Sequence, residues 1–431
     1  MAPGRAGSTA HGGRGIRQGL AFARPRSRFA KDELGGRRNA ARMEFLSCRI
    51  AFLLQKQMIP KRGSAALHFL DRYAGIPTVV ILGCSRRKRA LPSSIQTFGL
   101  LRTAAIGDTV LISAAIADLR ERFPDANVIF FAGPSNFEMA RMLDGVDRVV
   151  ELPVVNLASA LRRVRSIAVD VMIDFGQWPR LDALLALLSR ASFTIGFETR
   201  GQHRHFGYDL TVEHSSHVHE IENYRRLVRA LGVKAGNPPS LPVPSTGASP
   251  PADYAVFHLW PGGRRKKLKQ WPEEKWLALV EEIVSWEVEI VLTGAPADSA
   301  ANDAMIERAG PHARRFVRNA AGLKLQETAA LLAHSRLVVS VDTGVMHMAA
   351  ALGAPLVALH GPTSSRRWGP ISERAIAIDS ALAGSGYLNL GWEYPERPLA
   401  CMECISYESV RDACRCVIER QVEPVQLVRS L

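Results

Sequence analysis

Three stretches of the chain carry residue types suited to chemistry on a phosphate-bearing substrate. In Leu100 to Phe131 an apolar run delivers the chain into Ala-Ile-Gly-Asp, where Gly107 permits a close backbone turn and Asp108 opens a helical pattern. A carboxylate at that point can serve as a general base or can simply cap the helix. The spacing is not G-x-G-x-x-G, which removes the main support for a nicotinamide-binding reading. In Phe257 to Trp276 a glycine turn at Gly262 and Gly263 leads into a basic loop and then Trp-Pro-Glu-Glu at a helix start. Backbone donors there, with Lys269 as a point charge, suit a diphosphate, while most of Arg264 to Lys267 is expected to stay solvated. In Val341 to Pro362 an apolar run ends in Asp342, Thr343 and Gly344 before a helical segment. Unpaired N–H groups at such a helix start, together with its dipole, favour an anion. Asp342 can accept a hydrogen bond from a sugar hydroxyl or act only as a cap, and His347, one turn on, can be a ligand or a core histidine.

These stretches need rigid elements to hold them. From Phe98 onward short apolar runs alternate with helical patterns: FGLLRT, a helix from about Asp108 to Arg122, NVIFFAG, a helix near Phe137 to Leu143, RVVELP, a helix near Leu157 to Val164, and VDVMIDF. A second series runs through YAVFHLW, PEEKWLALVEEIV, VEIVLTG, a helix after Asp298, RLVVSVD, a helix from about Val345 to Leu352, and PLVALHG. Alternation of this kind predicts an α/β fold with parallel sheets covered by helices, here in two domains. The proline-rich Gly236 to Asp253 between them reads as a linker. Ligands of open α/β sheets bind at the carboxyl ends of the strands, so two such domains predict a cleft between facing strand ends.

At 431 residues and 47% hydrophobic content the chain has room for both domains and an appendage. Its formal charge of +14 suggests nucleic acid until the charge is located. Residues 1–95 hold 19 Lys and Arg against 4 Asp and Glu, leaving 36 against 37 in the body. A near-neutral body lacks the basic excess that phosphate-backbone affinity requires, so no nucleic-acid partner is expected. Residues 1–42 read as a disordered basic tail, with Met43 an alternative start, and residues 43–95 as a basic and apolar extension. None of its apolar patches reaches the roughly 20 residues needed to span a bilayer. Two roles fit it: a membrane-surface anchor facing anionic lipid, or a helix packed on the body with solvated arginines. No secretory signal stands out. Cys401, Cys404, Cys414 and Cys416 form a cluster whose C-x-C half strains tetrahedral geometry, so structural thiols are expected rather than zinc.

Taken together, AAIGDTVLISAAIADLRERFPDA, LKQWPEEKW and SVDTGVMHMAAALGAPLVALHGPTSSRRWGP resemble glycosyltransferase family 9, the ADP-heptose:lipopolysaccharide heptosyltransferase-like enzymes. MIDFGQWPRLDALLALLSRASFTIGF, HEIENYRRLVRALG and the cysteine-bearing tail are similar to family members as well. The resemblance implies a GT-B fold of two Rossmann-like domains, with residues 96–235 binding the acceptor, 236–252 as the linker, and 253–431 binding the nucleotide-sugar. It implies a cytoplasmic, inverting transferase that needs no metal or other cofactor. Asp108 matches the family's general base, and Lys269 the lysine near the donor diphosphate. Asp342, Thr343, Gly344 and His347 match the donor-binding D-T-G-x-x-H pattern, with Gly262 and Gly263 in the adjoining loop. The implied partners are a nucleotide-sugar donor such as ADP-heptose and a lipid-linked glycan acceptor, with residues 43–95 a candidate for peripheral membrane contact. Part of that extension, LDRYAGIPTVVILGCSRRKR, looks like extensions of less characterised members, so the donor need not be ADP-heptose. The competing readings are an NDP-sugar epimerase-like enzyme of similar architecture, and a non-catalytic sugar-nucleotide binder.

Overall fold

A computed structural model describes residues 65–245, 253–263, 265–391 and 393–419. The basic tail, residues 43–64 of the extension and residues 246–252 of the expected linker lie outside these. The first half of the body contains strands β1 (Thr97–Arg102), β2 (Asn127–Ala132), β3 (Arg148–Glu151), β4 (Ala168–Asp174), β5 (Arg190–Glu198) and β6 (Leu210–Glu213). The second contains β7 (Tyr254–His258), β8 (Glu289–Gly294), β9 (Val317–Ala321), β10 (Leu337–Val341), β11 (Leu356–His360) and β12 (Ala375–Asp379). Every pairing is parallel, in the orders β3-β2-β1-β4-β5-β6 and β12-β11-β10-β7-β8-β9. The predicted α/β class with two parallel sheets is therefore what forms.

Both sheets are doubly wound, and the strand order reverses between β1 and β4 in one and between β7 and β10 in the other. Loops leaving neighbouring strands at such a point splay apart, opening a crevice at the carboxyl end. Central strands are buried on both faces, which is why β1, β7 and β10 read as near-continuous apolar runs. The helix Ile106–Arg122 buries Val110, Leu111, Ile112, Ala114, Ala115, Ile116 and Leu119, more than one stripe, because it has a partner on two sides. It packs against the helix Gly344–Ala351 of the second half and the helix Glu220–Arg229 of its own, while its apolar residues share a core with Phe98, Leu100 and Val128 of its own sheet. A single apolar core accordingly runs from Phe98 and Val110 through Met346 and Met348 to Val338 and Leu356.

Over the residues described, the proline-rich segment read as a linker is hydrogen-bonded to the body on both sides. The Asp118 carboxylate accepts from the backbone N–H groups of Gly236 and Asn237, each at 3.0 Å, and Leu241 donates its N–H to Ala351 at 3.1 Å. The extension is likewise bound to the first half. Asp71, in the helix Ala65–Tyr73, accepts from Arg180 Nη1 and from its backbone N–H, both at 2.8 Å, while Val79 in the helix Gly75–Cys84 is buried. Arg86 and Arg89, expected to be solvated or to face lipid, converge on the buried Asp209 at 2.7 and 2.9 Å. A buried carboxylate needs such cations, and that requirement outweighs their solvation.

Candidate active site

The carboxyl ends of β1 and β4 deliver Arg102 and Gln177 to the crevice, and Asp108 projects between them from the first turn of the helix Ile106–Arg122. That helix starts two residues earlier than its pattern suggested. Ala105 precedes it at φ +78° and makes no side-chain cap, so Asp108 is not the capping residue. One of its oxygens, Oδ2, pairs with Arg102 Nη2 at 2.9 Å. The other, Oδ1, accepts from Gln177 Nε2 and from the Tyr224 hydroxyl, each at 2.9 Å. The side chain keeps 12% of its surface exposed, so it is held on three sides and open on a fourth. Arg102 is fixed further by Ala104 O, Phe175 O and Gln177 Oε1. Burial works against the charge of Arg102, but Asp108 and other acidic neighbours hold its pKa above the ordinary value.

The second sheet presents the other group at its own reversal point. Asp342 follows β10, and Lys269, at the end of the turn Lys266–Lys269, brings Nζ to 4.0 Å from Asp342 Oδ2. Burial would raise the Asp342 carboxyl. Lys269 outweighs it, with help from His360, His347 and a hydrogen bond from Thr363, and the pKa falls below the usual range. Asp342 is not the helix cap: Thr343 is, its hydroxyl accepting from Met346 N–H at 3.5 Å. Gly262 and Gly263 have open space where a side chain would stand, and Gly263 lies at φ +90°. The lysine loop is braced from behind by the cysteine-bearing tail, where Trp271 Nε1 and Lys275 Nζ donate to Ile405 O at 3.0 and 2.7 Å. Within that tail Cys401 and Cys414 are buried and Cys404 is exposed. Among the described residues no cluster of three or more His, Cys, Asp or Glu is arranged to hold a metal ion.

The two reversal points meet. A Cβ on Gly344 would stand 2.8 Å from Ile106 Cβ, and one on Gly107 would stand 2.6 Å from His347 Cδ2. Both glycines are therefore sites of close approach between the two halves. The side-chain direction of Gly344 is filled by Ile106, so a larger residue there would force the two halves apart. His347 is buried within electrostatic reach of both Asp108 and Asp342, and its Nδ1 has no hydrogen-bond partner among the described residues. Burial lowers its pKa despite the two carboxylates.

Further residues join the halves that motif reading did not single out. His219 Nδ1 accepts from Ile221 N–H while Nε2 donates to Gly369 O at 2.9 Å, a pairing that requires the neutral ring. Burial pushes this histidine down to about 4. Arg367 pairs with the fully buried Glu220. Both lie in the segments HEIENYRRLVRALG and GPTSSRRWGP, so the signal was present, but the pairing spans 147 residues of sequence.

Comparison with known proteins places this geometry in a family. A model of glycosyltransferase family 9 (heptosyltransferase) matches residues 157–385, more than half of the chain. Lipooligosaccharide heptosyltransferase 2 of Haemophilus influenzae is 28% identical over 170 residues, covering 39% of this chain and 43% of that protein. Lipopolysaccharide heptosyltransferase 2 of Salmonella typhimurium is 33% identical over 128 residues, 30% of this chain and 37% of its own length. The chain thus aligns with less than half the length of these curated relatives. Among solved structures, ADP-heptose lipopolysaccharide heptosyltransferase II of Escherichia coli superimposes with a TM-score of 0.63 at 20% identity, over 76% of this chain and all of that one. A family 9 glycosyl transferase from Veillonella parvula gives 0.65 at 17% identity, over 77% of this chain and all of its own. The fold is that of the GT-B heptosyltransferases, and the chain belongs to glycosyltransferase family 9, the heptosyltransferase family.

Proposed function

We propose that this protein moves a sugar, heptose or a close relative, from a nucleotide-diphosphate donor to a glycan acceptor by a single inverting displacement. One observation carries the reading: Asp108 at the end of one sheet and the Lys269–Asp342 pair at the end of the other are drawn together where Gly107 meets His347. The donor diphosphate lies against Lys269 and the open backbone at Gly262 and Gly263, with Asp342 accepting from a sugar hydroxyl of the donor and the N–H groups of Thr343 and Gly344 meeting a phosphate oxygen. Asp108 takes the proton of the acceptor hydroxyl as its oxygen bonds to the anomeric carbon. The bond from that carbon to the phosphate oxygen breaks, and its electron pair leaves on the diphosphate. Charge grows on the leaving group in the transition state, and a cation fixed there before reaction stabilises it more than the ground state. The name of the Escherichia coli structural relative specifies ADP-heptose, which makes that nucleotide-sugar the first donor to test. Incubation with ADP-heptose and a lipopolysaccharide core acceptor should release ADP only when both are present. Isomerisation of the donor alone would point to an epimerase, and no turnover with any nucleotide-sugar to a binding protein.

The acceptor we infer is lipid-linked, met at the cytoplasmic face of a membrane. Phe69, Leu70 and Tyr73 on one extension helix, and Ile81 on the next, are each more than 60% exposed, and Arg72, Arg87 and Lys88 of the same extension are exposed as well. Grouped apolar side chains with cations suit an anionic lipid surface, each cation contributing about 1 kcal/mol. No described helix is long and apolar enough to cross a membrane. Phe69→Glu combined with Ile81→Glu should abolish flotation of the protein with vesicles containing phosphatidylglycerol. Unchanged flotation would refute docking through this face.

A further inference from the structure

Glu220 stands between the two halves with no exposed surface, and its neighbours come from both. Its own half supplies His214 Nε2 at 3.1 and 3.2 Å from the two oxygens, Asn223 Nδ2 at 3.0 Å and Gln177 Nε2 at 2.7 Å. The other half supplies Arg367, whose Nη2 donates to Oε2 and whose Nε donates to Asn389 Oδ1 at 2.8 Å. Burial would raise the Glu220 carboxyl, but His214 and Arg367 hold it far below the usual carboxylate range, so it stays charged. A buried charge of this kind depends on its counter-ion, and removing one partner costs more than the pair contributes.

Gln177 links this charge to Asp108. Its amide nitrogen reaches Glu220 Oε1 on one side and Asp108 Oδ1 at 2.9 Å on the other, while its Oε1 accepts from Arg102 Nη1 at 2.6 Å. The hydroxyl of Tyr224, itself donating to Asp108, lies 3.1 Å from the same nitrogen. An amide has two N–H donors and one oxygen, so satisfying Glu220, Asp108 and Arg102 together leaves one orientation for the side chain.

We propose that Arg367 is a positioning residue for the base, acting across the two halves through Glu220 and Gln177 to fix the Asp108 carboxylate against the acceptor. Its catalytic consequence rests on the transferase reading, whereas the mechanical linkage does not. When Arg367 is withdrawn, Glu220 draws on the remaining donors, Gln177 turns toward it, and Asp108 loses one of its two Oδ1 contacts. The base is then aligned only while the donor-bearing half is docked, which confines proton removal to the assembled site.

Two measurements on the full chain test this. In a crystal structure of Arg367→Met, Gln177 Nε2 should lie beyond hydrogen-bond distance of Asp108 Oδ1; an unchanged contact overturns the linkage, whatever the reaction is. In transfer assays with ADP-heptose, Arg367→Met should lower kcat by about 10- to 100-fold, the loss typical of a misplaced reacting group, with the donor KM changed less than about three-fold. In a Gln177→Leu background the same substitution should add less than about three-fold, because the linkage is already cut. Equal losses in both backgrounds, or a donor KM that rises to account for the loss, would overturn the proposal in favour of a packing or donor-contacting role. Arg367→Lys keeps the charge, should fold where Met does not, and should show the same non-additivity with a smaller loss. If the unmodified protein does not turn over ADP-heptose, the transferase reading is at fault and the crystal structure alone decides the linkage.

Discussion

Asp108→Asn is expected to lower kcat by about 10²–10⁴-fold, the usual contribution of a general base, while donor affinity changes by less than about two-fold. The substitution keeps the shape of the side chain and the oxygen that Gln177 and Tyr224 address. What it removes is the proton acceptor, together with the anion opposite Arg102. The Lys269–Asp342 pair is untouched, since both residues belong to the other half. Single-turnover rates and ADP titrations on the same preparation separate the two effects. A variant with full transfer rate would show that another group, or water alone, takes the acceptor proton.

Lys269→Met should weaken ADP binding by about 1.5–3 kcal/mol, roughly 10- to 150-fold, the range for a hydrogen bond to a charged group. Lys269 is 19% exposed and therefore reachable, and its present partner Asp342 lies at 4.0 Å, long enough for the ammonium to turn toward an incoming phosphate. Deleting it also leaves Asp342 without the cation that contributes most to its low pKa, with His360, His347 and Thr363 remaining. Loss of kcat should exceed loss of affinity, because the leaving group carries more charge in the transition state than in the bound donor. Isothermal titration with ADP checks the first part. Unchanged affinity would remove Lys269 from the donor site.

The alternation of apolar runs with helical patterns made the α/β class legible, because strands buried on both faces must be apolar throughout. Strand order was not legible, since crossovers leave no local trace. The chemistry-bearing residues beyond strand ends were also legible: Asp108, Lys269 and Asp342 follow points where composition changes sharply from apolar to small or charged. Their companions were not. Arg102, Gln177, Tyr224, Glu220 and Arg367 are buried polar residues whose meaning arises when distant segments come together, as with Gln177 on Asp108 across 69 residues, Tyr224 on Asp108 across 116 and Arg367 on Glu220 across 147. Which residue caps each helix was not legible either, for a local reason. Asp is a good capping residue, yet Thr343 rather than Asp342 occupies the position with extended backbone, and Ala105 takes the capping position of the first helix at a positive φ disfavoured for alanine. The segment read as a linker and the basic cluster of the extension were each judged by composition alone. Composition did not reveal that Asp118 and Asp209, in distant elements, would bind them.

A crystal structure of the full chain with ADP bound is the most direct test. The predicted result has the diphosphate within hydrogen-bond distance of Lys269 Nζ, beside the backbone of Gly262 and Gly263, with Asp108 facing it from the first sheet. A nucleotide held elsewhere, or Asp108 walled off from the terminal phosphate by the contact between Gly107 and His347, would contradict it.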